Sequence, residues 1–291
     1  MRQPGGILQE LADSTLKRCE DFKAANDVSA LIDEAERIAD SEKVASQALI
    51  EDAGRSNAAG RENTSPAPLP FEAALSTPGM SFICEVKKAS PSKGVIAEDF
   101  PYLDIAREYE SAGASAISCL TEPHWFKGSC DYLRQISAEV SIPVLRKDFT
   151  VDEVMVYRAK VIGASAVLLI CSILDDDEIS RYSELATRLG MSSLVEAHDA
   201  EEVRRAVALG SRIVGVNNRN LKDFTVDIDN SAKLREMIPN GTIYVSESGI
   251  RTRDDVAKLE EIGVDAVLIG EKLMRSENKR KILDELRGVG K

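Results

Sequence analysis

Five charged side chains stand at equivalent places in a series of short apolar runs. SFICEVK carries Glu85 and Lys87, SIPVLRK ends in Lys147, SSLVEA carries Glu196 and TIYVSES carries Glu247. An ionised group in a buried strand is costly unless it is paired or functional. Lysine and glutamate together suit acid–base chemistry. An ammonium protonates a developing alkoxide, a carboxylate removes a proton, and their mutual fields pull the pKa values apart. Structural ion pairs, or the first residues of exposed loops, explain any one of the five equally well. They explain all five at matched positions poorly. A second group points to an anion: Ser248-Gly249 follows one run and Gly270-Glu271 the next. Glycine lets backbone N–H groups approach a phosphate closely, and a helix start adds its own donors. Arg219, after an intervening run, offers a charge-assisted contact.

The elements that must position these residues repeat along the chain. Gly113-ASAISCL, Gly163-ASAVLLI, Gly210-SRIVGVN and Gly263-VDAVLIG begin 50, 47 and 53 residues apart. Each has a glycine ending a helix and then an apolar strand. The four charged runs fall midway between them, and amphipathic stretches such as DAEEVRRAVALG separate the strands. Eight near-continuous apolar strands, each followed by a helix, predict a closed α/β barrel, the (β/α)8 TIM barrel. An open doubly wound sheet is the alternative, but no GxGxxG turn follows the first strand. In a barrel the active site lies at the C-terminal strand ends. Period-two alternation puts Glu85 and Lys87 on one face of their strand, inward if Cys84 and Val86 meet the helices. Residues 79–291 form this catalytic barrel, and residues 1–78 an N-terminal helical extension. The extension is predicted to hold a helix over Ile7–Asn26 and a second over 31–52. The small, polar composition of 45–70 reads as a linker.

A net charge of −12 argues against nucleic acid, because counterion release needs a basic surface. A phosphate must therefore be held by local groups, within a screening length of roughly 8–10 Å. No apolar run is long enough to span a membrane, and the N-terminus lacks a signal-peptide core. The five cysteines lack CxxC spacing, and Cys84, Cys119 and Cys171 sit in apolar strands; reduced thiols in a cytoplasmic protein are expected, with Cys19 and Cys130 unreactive. The two histidines, His124 and His198, are far apart, so no metal site is expected. His124 reads as a loop residue and His198 as a cap of the helix that follows it.

The run CEVKKASPSKG resembles the first-strand signature of the indole-3-glycerol phosphate synthase family. The resemblance continues through LTEPHWFKGS, PVLRKDF, LVEAH, GVNNRNL, VSESGI and LIGEKLM, in that order, and covers the whole barrel. ILQEL and FEAAL (71–75) resemble the family's extension over the barrel mouth. The resemblance implies conversion of 1-(2-carboxyphenylamino)-1-deoxyribulose 5-phosphate to indole-3-glycerol phosphate, with loss of carbon dioxide and water, in tryptophan biosynthesis. It gives Lys147 the role of general acid in ring closure. Glu196, Lys87 and Glu85 are then the candidates for the proton transfers of dehydration. Ser90, Asn217, Arg219, Glu247, Ser248 and Leu268 match substrate-binding positions, and Gly249, Gly270 and Glu271 phosphate-binding ones. Glu271 would act through its backbone N–H, since its carboxylate repels phosphate. Phe126 and Phe149 are candidates to stack on the anthranilate ring, or else anchor their loops. No cofactor is implied.

Two other readings compete. A phosphoribosylanthranilate isomerase shares fold and phosphate site but is expected to use a Cys/Asp pair, where this chain has Glu85 and Lys87. A non-catalytic phosphate-ligand sensor is expected to lack one of the rim residues, yet Lys87, Lys147, Glu85 and Glu196 are all present. The expected partner is a phosphorylated small molecule, with the protein a monomer open to association with other enzymes of tryptophan biosynthesis. The chain ends soon after the eighth strand, so no fused domain is expected.

Overall fold

The computed structural model describes residues 1–54, 68–220 and 224–289. Among these, eight parallel strands close into a barrel: β1 Ser81–Val86, β2 Ala116–Leu120, β3 Val144–Lys147, β4 Ala166–Ile170, β5 Ser192–Ala197, β6 Ile213–Asn217, β7 Ile243–Glu247 and β8 Ala266–Ile269. β1 pairs with both β2 and β8, so no strand edge is left open. The predicted TIM barrel with helices before its first strand is what forms. β-Branched and leucine-rich runs make the strands because they fill both sides of a sheet sandwiched between a core and helices.

Among the described residues three helices precede the barrel: α1 Gly6–Ala25, α2 Val28–Gly54 and α3 Pro70–Leu75. α1 and α2 match the two expected helices. The linker reading of 45–70 is corrected at both ends. α2 continues to Gly54, because the Ala, Gln, Leu and Glu of SQALIEDAG are good helix formers, and Pro70 opens α3. The linker positions 55–67 lie outside the described residues. The extension also splits in space. α1 crosses the mouth, with Ile7, Leu8 and Leu11 facing the central cavity. α3, the FEAAL segment, does not lie over the mouth but plugs the opposite end. Ser81 Oγ, at the start of β1, donates to Ala74 O (3.3 Å), and Glu72 pairs with Arg212 (2.5 Å), just before β6. Phe71 and Leu75 are fully buried there, each contributing about 1.5–3 kcal/mol.

Helices α4 Tyr102–Ser111, α5 Cys130–Glu139, α6 Glu153–Val161, α7 Asp176–Arg188, α8 Ala200–Ala208, α9 Asp229–Leu234 and α10 Arg253–Glu261 follow β1 to β7. α11 Glu271–Met274 and α12 Lys279–Arg287 follow β8. A short hairpin, Ala89–Ser90 against Gly94–Val95, projects after β1. The extension is tied to the barrel through ionic contacts. Lys160 of α6 pairs with Glu42 of α2, Lys23 with Asp152, and Arg18 Nη2 donates to Asp148 Oδ1 at 3.0 Å. No helix among the described residues is long and apolar enough to cross a membrane.

Candidate active site

Register brings the charged residues together. Glu196 lies beside Gly215 in the β5–β6 ladder, Asn217 beside Glu247 between β6 and β7, and Glu247 beside Leu268 between β7 and β8. Paired residues of parallel strands point to the same face, so these side chains enter the barrel at one level. Lys147 enters from β3 and Glu85 from β1, while their neighbours Arg146 and Cys84 turn to the helices, as alternation requires. All fifteen candidate residues named from the sequence line a single cavity of ≈ 580 Å³ at the C-terminal strand ends. That volume suits a small organic ligand.

Lys147 is the hub. Its Nζ lies 2.8 Å from Glu196 Oε2 and 3.2 Å from Glu247 Oε2. Asn217 Nδ2 donates to Glu196 Oε1 at 3.2 Å, and Glu247 Oε1 has no hydrogen-bond partner among the described residues. Burial works against the ammonium, but Glu196, Glu247 and Glu85 outweigh it and hold its pKa above the ordinary lysine range. Burial also opposes ionisation of both glutamates. At Glu196 the nearer Lys147 and His198 overcome it, and the carboxyl is held below its usual range. At Glu247 burial prevails, with the Glu196 charge adding to it, and the carboxyl is pushed up to about 8. The hub thus holds one cation, one anion and one neutral acid, a titration belonging to the group as a whole.

Gly215 makes room for this: a Cβ there would meet Glu247 Oε1 at 2.4 Å. Lys87 Nζ pairs with Glu85 Oε1 at 2.6 Å on the opposite wall. A Cβ at Gly270 would meet that Glu85 oxygen at 2.4 Å and Lys87 Nζ at 3.1 Å, so glycine is what lets β8 pass the pair.

At the β7–β8 side, Ser248 and Gly249 both have left-handed φ, 67° and 88°. A non-glycine residue rarely stays there without help. Asn218 supplies it, donating from Nδ2 to Ser248 O (3.0 Å) and Ser246 Oγ (3.0 Å). Arg219 is held by its own N–H to Asn217 Oδ1 (3.0 Å) and by Nη1 to Phe224 O (3.2 Å). Glu271 opens α11 and lines the cavity, and its carboxylate accepts from Arg275 Nε (3.2 Å). Arg251, Lys272 and Arg275 line the same end, which sequence reasoning missed. They lie in loops and a short helix where no periodicity marks an inward face.

The apolar wall is made by Leu8 and Leu11 of α1, Leu120, Leu168, and the Phe126–Phe149 pair with ring centroids 6.0 Å apart. The Phe126 loop is shaped by buried Glu122, which accepts from the N–H groups of His124, Trp125 and Phe126 at 2.8, 2.8 and 2.9 Å. His124 itself is exposed and does not line the cavity.

His198 departs from expectation. Asp199, not His198, caps α8, its carboxylate accepting from Glu201 N and Glu202 N. The histidine ring lies between Glu196 and Glu202 instead, with Nε2 3.5 Å from Glu196 Oε1 and Nδ1 3.3 Å from Glu202 Oε2. Asp148 was also missed. It is buried after β3, accepts from Arg18, Thr121 Oγ1 (2.6 Å) and Arg146 Nη2 (3.3 Å), and fastens α1 over the cavity. No cluster of His, Cys, Asp and Glu among the described residues has metal-binding geometry.

The family model for indole-3-glycerol phosphate synthase matches residues 35–286. The chain is 58% identical over 222 residues to the indole-3-glycerol phosphate synthase of Ruminiclostridium cellulolyticum, covering 76% of this chain and 85% of that one. It is 55% identical over 213 residues to that of Lacticaseibacillus paracasei, covering 73% and 82%. Among solved structures, a 3-hexulose-6-phosphate synthase superposes with a TM-score of 0.57 at 16% identity, covering 72% of this chain and all of that one. A thiamine phosphate pyrophosphorylase from Pyrococcus furiosus gives 0.53 at 20% identity, covering 72% and 94%. At such identities the structural likeness shows the barrel alone. The family match over most of the chain, with relatives more than half identical, establishes that this chain belongs to the indole-3-glycerol phosphate synthase family.

Proposed function

We propose that this chain closes the pyrrole ring of 1-(2-carboxyphenylamino)-1-deoxyribulose 5-phosphate, releasing carbon dioxide and water to leave indole-3-glycerol phosphate. The observation that carries the reading is the Lys147 ammonium clamped between Glu196 and Glu247 inside the cavity. As the aryl carbon attacks the C2′ carbonyl, an alkoxide develops that is more basic than a lysine amine. Lys147, held protonated, gives it a proton. Carbon dioxide then leaves and restores the aromatic ring. Dehydration needs a proton on the departing hydroxyl and a base for the C1′ hydrogen, work for Glu85, Lys87 and Glu196.

Binding divides along the cavity. The phosphate is held by the backbone N–H groups of Gly249, Gly270 and Glu271, with Ser248 and Arg219 beside them. Lys87 meets the substrate's anionic groups, Asn217 and Glu247 orient its sugar hydroxyls, and Ser90 and Leu268 complete the wall. The anthranilate ring lies against Phe126 and Phe149. The barrel of residues 79–291 carries this chemistry, and the extension of 1–78 supplies α1 as a cover. The five free cysteines, four of them buried, suit the reducing cytoplasm. The protein acts there as a monomer, open to association with other enzymes of tryptophan biosynthesis.

The test is turnover of the ribulosyl substrate by purified protein, followed as growth of indole fluorescence. Turnover supports the reading. Tight product binding without turnover would favour a sensor, and isomerisation of phosphoribosylanthranilate would favour the isomerase.

A further inference from the structure

The proposed reaction takes up a proton. Its substrate carries an ionised carboxylate, and its products are carbon dioxide, water and an indole with no such charge. One proton goes to the ketone oxygen and one to the departing hydroxyl, while one comes back from C1′. Each cycle therefore draws one proton from solvent into a site whose glutamates are buried and whose Lys147 is only partly exposed. A ligand in the main cavity would stand between Lys147 and the solvent at the mouth, where Leu8 and Leu11 of α1 already form part of the wall.

A second cavity of ≈ 700 Å³ lies behind the hub, under the N-terminal segment Arg2–Leu8. The His198 ring forms part of its wall, with Ser172 and Glu202. Ser172 Oγ donates to Glu202 Oε1 (2.5 Å), and Glu202 Oε2 accepts from the His198 N–H (2.8 Å) and faces its Nδ1. A histidine that only braced this turn would have both ring nitrogens satisfied. Here Nε2 is buried, makes no hydrogen bond among the described residues, and faces the carboxylate that binds Lys147.

We propose that His198 is a proton-relay residue, passing a proton from the second cavity to Glu196 and so back to Lys147 during turnover. The inference rests on the synthase reading above. The ring gains a proton at Nδ1 from the cavity side, where Glu202 orients it. The Nε2–H bond then breaks and an O–H bond forms at Glu196 Oε1. Rotation of that carboxyl carries the proton to the neutral Lys147 amine left by ring closure. Two carboxylates face the ring and favour its charged form, Glu202 on α8 and Glu196 on β5, and Glu247 on β7 adds to them only as it ionises. Burial opposes them, yet the balance holds the ring above its ordinary value of 6.5. Asn230 of α9 meets only its backbone oxygen (3.0 Å).

The experiment compares wild type with His198→Gln, His198→Ala and Glu202→Gln, measuring kcat and KM from pH 5.5 to 9.5, product affinity and melting temperature. The relay predicts that His198→Gln lowers kcat roughly 10–100-fold, within the lower reach of acid–base transfer, with KM nearly unchanged. It also predicts that added imidazole restores kcat of His198→Ala, and that Glu202→Gln shifts the kcat–pH profile to lower pH. Unchanged kcat and pH profile in His198→Gln would overturn the relay. So would a loss that tracks product affinity or melting temperature and that imidazole does not restore. Wild-type protein without turnover refutes the synthase reading and the relay with it, whereas active wild type with an unaltered variant refutes the relay alone.

Discussion

Glu196 and Glu247 reach the same Lys147 ammonium from strands two apart, at 2.8 and 3.2 Å, and one positive charge balances only one of them. Gly215, on the strand between, leaves the space in which the second carboxyl sits. The consequence is a division of states. The nearer carboxylate stays ionised beside the ammonium, and the farther one keeps a proton. Two identical side chains thereby become an ion-pair partner and a neutral hydrogen-bonding acid, which is how one residue type serves two roles in one site.

Lys147→Ala should lower kcat by about a thousandfold, within the range for losing a positioned general acid. Without the ammonium, the Glu196 carboxylate is left buried beside the neutral Glu247 and takes up a proton, so the barrel should stay folded and still bind product. Single-turnover kinetics and product titration of the variant check this. A loss under tenfold would remove Lys147 from the general-acid role.

Gly270→Ala separates geometry from stability. Gly270 has φ −117°, outside the left-handed region that only glycine adopts readily, so φ does not bar alanine there. Its Cβ would instead press on Glu85 Oε1 and Lys87 Nζ, the movable ends of two side chains. Folding stability should change by less than about 1 kcal/mol, while kcat/KM drops up to a hundredfold because the Glu85–Lys87 pair is displaced by about an ångström. Urea unfolding and steady-state kinetics on one preparation decide it. Equal losses of stability and activity would contradict the steric account.

The barrel and the convergence of Glu85, Lys87, Lys147, Glu196 and Glu247 were legible because strand alternation and repeat spacing are local. What was not legible depends on contacts between distant segments. Nothing near Asp148 in the chain says that Arg18, 130 residues away, will cap it. FEAAL looks like any short amphipathic helix, and only the closed barrel reveals that it fills the end opposite the mouth. His198 is next to Asp199, a better N-cap, and the ring's direction follows from Glu202 one helical turn on and Glu196 on the strand behind. Over 45–52 the expected helix and the expected linker overlap, and the helix propensity of Ala, Gln and Glu prevails there, carrying α2 to Gly54.

Arg18→Ala tests whether α1 is held as a cover. Arg18 Nη2 donates to Thr15 Oγ1 (2.7 Å) and Asp148 Oδ1 (3.0 Å), and its loss leaves Asp148 with Arg146, Thr121 and its own Phe149 N–H. Because Arg18 is partly exposed, the cost should be about 1–2 kcal/mol, the lower part of the range for a bond to a charged group. Hydrogen exchange over Gly6–Ala25 should quicken, and KM should rise several-fold because Leu8 and Leu11 leave the cavity wall. Unchanged exchange in α1 would show that apolar packing alone holds the helix.

Glu247→Gln should reveal the buried proton through stability. In the folded protein the Glu247 carboxyl keeps its proton to about 8, whereas in the unfolded chain it loses it near its ordinary 4.5. Between those values the folded state binds more protons than the unfolded state, so stability falls as pH rises. The contribution is complete below the unfolded value and lost as pH passes the folded one. For a single proton the slope reaches at most about 1.4 kcal/mol per pH unit. Glutamine has nearly the shape of the neutral acid and does not titrate, so this slope should vanish in the variant. The two proteins should match in stability near pH 5, and the variant should gain steadily on wild type towards pH 9. Denaturant unfolding of both at pH 5, 7 and 9 measures the difference. Parallel curves, or a gap that widens towards acid, would mean that Glu247 is ionised in the folded site and that Lys147 holds two charges.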